Sequence, residues 1–86
     1  MITPKLNPNG SSADDLIEPR LKASAALDVA ITALKQTAPN GRDYPGDKDA
    51  CAADRQEYYD RLAMVRNLRE DIYAEAIAIK QQEQDA

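Results

Sequence analysis

From Lys48 to Gln82 the chain contains neither glycine nor proline. These are the residues that most strongly interrupt a helix. Thirty-five residues free of them predict one helix about 50 Å long. The apolar positions agree. Cys51, Tyr58, Leu62, Val65, Ile72, Ala76 and Ile79 recur mostly at steps of three and four and mark one helical stripe. A second stripe, Tyr59, Ala63, Tyr73 and Ile77, lies about 100° round the same helix. Two stripes give a wider apolar face than one neighbouring helix needs.

An earlier helical segment precedes the long one. Ser12 suits its N-cap, with Asp15 three residues on. Leu27, Ile31 and Leu34 mark its buried face, and alanines at 23, 30 and 38 extend it. Pro19 either kinks a continuous helix or occupies the first turn of a new one after Glu18. Pro39 ends the segment by disfavouring helical geometry at Ala38. The expected organisation is a mobile arm over 1–12, helix one over about 13–37 with a break at Pro19, a loop over 38–47 and helix two over about 48–82. The hairpin domain as a whole covers 13–84. The fold class is all-α: an antiparallel helical hairpin with a long second helix, oligomerising.

The expectation of an oligomer rests on supply and length. Of the hydrophobic residues, 15 are alanine, and the chain has no Phe and no Trp. A core drawn from so few large side chains is marginal in a chain of 86 residues. The shorter helix, closing directly against the start of the longer one, would reach only to about Val65 or Leu68. That leaves Leu68, Ile72, Tyr73, Ile77 and Ile79 as the expected self-association surface.

Charge and composition exclude several classes. Asp and Glu number 15 against 11 Lys and Arg, a net charge of −4. Bulk nucleic acid, which is bound by neutralising phosphates, is therefore not an expected partner. There is no histidine, so His-based catalysis and His metal sites are absent. The single cysteine, Cys51, reads as a small core residue in a reducing compartment. Carboxylates are plentiful, but none is paired with a nucleophile. Asp71 and Glu75, four residues apart, are the nearest thing to a cation site. No apolar run approaches a membrane span, and Met1 to Leu6 lack the apolar run of a secretory signal. No cofactor, metal or catalytic residue is expected, and the expected location is the cytoplasm.

The chemistry that stands out sits in the loop Pro39-Asn40-Gly41-Arg42-Asp43-Tyr44-Pro45-Gly46-Asp47. Gly41 after Asn40 suggests a tight turn with positive φ, whose N–H groups can converge on an anion. Arg42 carries a planar fork suited to phosphate. Tyr44 offers a ring for stacking, and Asp43 can orient Arg42 or accept from a ribose hydroxyl. Pro45-Gly46 suits a type II turn, and Asp47 an N-cap. Lys48, Arg55 and Tyr58 from the start of helix two complete a candidate ligand set with Asn40, Gly41, Arg42, Asp43 and Tyr44. The same residues also suit a plain connection, in which Arg42 pairs with Asp43 or Asp47 and Tyr44 covers the hairpin's end. Arg55 and Arg69 interrupt the first apolar stripe, so each needs a ligand anion, a carboxylate such as Glu18 or Asp28, or water.

The run Ala38 to Tyr44, between an alanine-rich helix and a longer amphipathic one, resembles a group of short proteins of tailed phages and prophages. Its specific part is Asn40-Gly41-Arg42-Asp43-Tyr44. Pro45 stands where members usually carry a second tyrosine. The resemblance implies a helical hairpin made in a host cell's cytoplasm. By analogy with small helical oligomers that act as sponges, it implies sequestration of a nucleotide second messenger of antiviral immunity without cleavage. The alternative is a protein–protein interaction module that inhibits a host factor or scaffolds an assembly.

Overall fold

The computed structural model describes residues 2–85. It contains two α-helices, α1 (Ala13–Lys35) and α2 (Lys48–Asp85), joined by a segment holding a short 3-10 turn, Gly41–Asp43. The two helices pack antiparallel in a rod of 64 × 18 × 17 Å. Among the described residues there is no strand, and no helix is long and apolar enough to cross a membrane.

Ser12 caps α1, its Oγ accepting from Asp15 N–H at 3.1 Å. The helix then runs unbroken through Pro19, which corrects the expected break. Proline costs the ladder one donor and crowds the carbonyl of Asp15. Both Asp15 and Pro19 are exposed, so the freed carbonyl belongs to the solvent side of the helix. The adjacent turn is held from the inner side, where Arg20 Nη1 donates to the carbonyl of Leu16 at 2.7 Å. At the other end Thr37 N–H and Oγ1 both donate to the carbonyl of Leu34, at 2.9 and 2.7 Å, and helix gives way to turn.

Two ion pairs between the helices define how they slide against each other. Arg20 donates twice to Glu75 Oε1, at 3.0 and 2.9 Å. Arg69 Nη1 donates to Asp28 Oδ1 at 2.6 Å. At equal rise along both helices, this register sets Lys35 opposite about Arg61 and Ala13 opposite about Glu83. The shorter helix therefore covers the C-terminal part of α2. Residues 36–47 run back along its first turns, and Tyr44 is tied to Asp54 by a hydrogen bond from its hydroxyl. The length mismatch exists, but it falls at the opposite end from the one expected.

Burial follows this register. The first stripe of α2 is buried or half-buried throughout, from Cys51 through Leu62 to Ala76 and Ile79. Ile79 has no exposed surface, and Ala13 and Ile31 are buried on α1. Ile79 thus belongs to the chain's own core and cannot serve as free interface, and Ile72 is half-buried. Leu68, Tyr73 and Ile77 remain exposed, as does the whole second stripe.

The N-terminal arm, expected to be mobile, is tethered. The Gln82 side-chain amide accepts from Leu6 N–H at 3.0 Å and donates to the carbonyl of Pro4 at 2.8 Å. Thr3 lies in a depression with Asp71, Ala74 and Glu75. A turn closed by Gly10 N–H to the carbonyl of Asn7, at 3.2 Å, then leads into α1.

Glu75 is about nine-tenths buried, and its Arg20 partner is a quarter exposed. Removing one partner of such a pair strands the other charge. Glu75→Ala should lower the unfolding free energy by about 2–3 kcal/mol in urea titration. Arg69→Ala, at the more exposed pair, should cost clearly less. Equal losses would contradict the assignment of Glu75 as the buried anchor.

Candidate functional site

Three local devices build the loop end. Asn40 caps the 3-10 turn, its Oδ1 accepting from Arg42 N–H at 3.1 Å while its carbonyl accepts from Asp43 N–H at 3.0 Å. Tyr44-Pro45-Gly46-Asp47 forms a turn closed by Asp47 N–H to the carbonyl of Tyr44 at 3.0 Å. Gly46 sits there at φ +75°, as the Pro-Gly sequence requires. Asp47 caps α2, its Oδ1 accepting from Ala50 N–H at 2.9 Å.

Gly41 does not have positive φ, contrary to expectation; among the described residues Gly46 alone does. The backbone donors of Arg42, Asp43 and Tyr44 are spent on Asn40 and Gly41. They therefore do not converge into an anion nest. The reason is local: Asn40 satisfies the turn's donors from within.

Gly41, Tyr44, Asp47, Lys48, Cys51 and Arg55 surround a hollow of about 310 Å³ against the first turns of α2. Four of the expected ligand residues, Gly41, Tyr44, Lys48 and Arg55, are thus brought together. Asn40, Arg42, Asp43 and Tyr58 do not line it. Arg42 and Asp43 are exposed, and Arg42 has no ion-pair partner among the described residues. Tyr58 is half-buried with its ring tilted against Tyr59, centroids 5.3 Å apart. Buried Cys51 lines the hollow, and Arg55 Nη2 approaches its sulfur at 3.7 Å. Arg55 has no carboxylate partner among the described residues, whereas Arg69 is matched by Asp28. The lining therefore carries two cationic side chains, Lys48 and Arg55, and one acid, Asp47, with the carboxylate of Asp54 beside Tyr44.

Asp54 is the residue that sequence reasoning missed. It accepts from the Tyr44 hydroxyl and so fixes one wall of the hollow. Nothing in the spacing of the two residues announces a contact made across a loop. That hydrogen bond, then partial desolvation and the nearby negative charge push the Tyr44 phenol from 10.0 up to about 12. Glu75 is also placed differently from expectation. It is committed to Arg20 and cannot join Asp71 in holding a cation, and no cluster of metal-ligating residues occurs among the described residues.

A larger depression, about 640 Å³, lies away from the loop, where Tyr73 and Ile77 of α2 meet Ser24 and Asp28 of α1. It is apolar and open. Comparison of the chain with protein-family models, curated proteins and solved structures finds no match.

Two measurements check this geometry. Gly46→Ala should cost about 1 kcal/mol, because a Cβ strains the left-handed region, while Gly41→Ala, whose Cβ would meet open space, should be close to neutral. Reversed costs in thermal denaturation would mean that the turn is misplaced. In an ultraviolet titration Tyr44 should ionise near 12 and return towards 10.0 in Asp54→Ala. Because its folded pKa is raised, the stability this bond contributes is complete below about 10 and is lost as pH rises through about 12.

Proposed function

We propose that this chain is a non-enzymatic binding protein that holds a small nucleotide at its loop end without cleaving it. The observation that carries the reading is the pairing of Lys48 and Arg55 round the hollow walled by Tyr44. Two cations give phosphate its counter-charge, and Arg55, without a carboxylate partner, has donors to give. Arg42 stands exposed nearby in sequence and can close over a ligand that reaches out of the hollow. The ring of Tyr44 supplies the flat wall a base needs, held in place through Asp54.

The phosphate contacts thus move from the Asn40–Asp43 backbone, whose donors are occupied, to side chains. Nothing in the hollow combines a nucleophile with a base, which favours retention of a ligand over its hydrolysis. In a phage-type setting such retention would sequester a nucleotide signal of the host's antiviral response in the cytoplasm. A second reading, a module that binds a host protein, draws on exposed Leu68, Tyr73 and Ile77.

Isothermal titration with cyclic dinucleotides, cyclic trinucleotides and cyclic ADP-ribose isomers tests the proposal. One of them should bind and be recovered intact after heating. Binding should weaken about tenfold or more in Lys48→Ala and in Arg55→Ala, each of which loses a charge-assisted contact. It should weaken less in Arg42→Ala. Wild-type affinity in all three variants, or release of a cleaved product, would overturn it.

A further inference from the structure

The exposed second stripe of α2 has a regularity that the fold does not use. Tyr59, Ala63, Arg66, Glu70, Tyr73 and Ile77 are spaced by alternating steps of four and three, the period of a coiled-coil seam, and all six are exposed. Only two of them, Arg66 and Glu70, are charged, and their signs are opposite. Neither makes an ion pair among the described residues.

The order of the six is self-complementary when read backwards. With two copies of α2 antiparallel about a two-fold axis level with Leu68, Arg66 faces Glu70, Ala63 faces Tyr73 and Tyr59 faces Ile77. Each pairing then occurs twice. Two ion pairs flank the centre, a small residue opposite a large one follows on each side, and an apolar pair closes each end. Sliding by one heptad sets Arg66 against Ile77 and Glu70 against Tyr73 in one direction, or Arg66 against Ala63 and Glu70 against Tyr59 in the other, and either buries charge on apolar surface. Sliding by two leaves either Tyr59 and Ala63 or Tyr73 and Ile77 with no partner in the stripe.

Surface area asks for the same thing. The chain exposes 6396 Å². A compact monomer of its 9.5 kDa would expose about 5,000 Å². The excess, about 1,300 Å², exceeds the roughly 800 Å² that each partner buries in a standard interface. Part of it lies on residues 48–60 of α2, which α1 does not reach, and the antiparallel pairing lays the partner's C-terminal turns there.

We propose that a second copy of this chain docks antiparallel on this stripe, with Arg66 of each copy paired to Glu70 of the other. The interface is isologous, so the chain forms a closed dimer rather than a filament. The inference is independent of any ligand at the loop end.

Sedimentation equilibrium on the full chain tests it. Wild type should be a dimer at tens of micromolar. Arg66→Glu and Glu70→Arg, each alone, place like charges at both central positions and should weaken association about tenfold or more, with helicity by circular dichroism unchanged. Mixed in equal amounts, the two variants should recover a dimer of wild-type strength, because every central contact is again between opposite charges. A wild-type monomer would overturn the proposal. So would a dimer indifferent to either variant, or a mixture that fails to recover.

Discussion

The register set by Arg20 and Glu75 decides most of what this molecule presents to its surroundings. Those two charges meet where the inner faces of α1 and α2 come together near the arm, and a slip of one turn would separate them by about 5 Å. The pair is a better guardian of alignment than of stability. Alanine-rich faces slide past one another at little cost, whereas a buried carboxylate torn from its guanidinium has nowhere to go. With α1 fixed on the C-terminal part of α2, the connecting residues must travel back along the first turns of that helix. The loop is long because the register demands it, and its side chains come to lie against α2 rather than beyond its end.

Secondary structure was legible in the sequence because its causes are local. The gap in glycine and proline, the Ser12 and Asp47 caps and the Pro-Gly turn each act within a few residues, and each appears where expected. The existence of two stripes on α2 was legible too, because period alone separates Cys51, Leu62 and Ile79 from Tyr59, Tyr73 and Ile77, but which of them α1 covers was not. What period cannot give is translation. The reading that left Ile72 and Ile79 uncovered assumed a tight closure at the loop, and two ion pairs between residues 41 and 55 positions apart overrule it. The break expected at Pro19 is absent for a related reason. The cost of the proline depends on whether the freed carbonyl faces water, and that is a property of the assembled hairpin.

The loop shows how a residue set that looks like a ligand site can be partly consumed by its own architecture. Asn40 and Gly41 were attractive for their donors and acceptors, and those groups are what the 3-10 turn uses to hold itself together. Arg55 was ambiguous because a guanidinium on an apolar stripe reads the same whether a carboxylate awaits it or not. Arg69 found Asp28, but the α1 register brings no carboxylate to Arg55. That difference arises from where α1 ends. Beyond Lys35 there is no facing helix to supply an acid, so a cation on the first turns of α2 stays available.

The unused surface follows from the same limit. A helix of 38 residues faces one of 23, and a single short arm clamped by Gln82 adds cover only towards the C-terminal end. The start of α2 is left with the loop on one side and water on the other. An antiparallel partner supplies at that point what the chain lacks, since the end of α2 that is best packed in one copy meets the end that is least packed in the other. The two hollows would then lie near opposite ends of the pair, each close to the partner's last helical turn. The uneven lengths of the two helices thus account both for an available cation beside the loop and for a self-complementary stripe left to find its own kind.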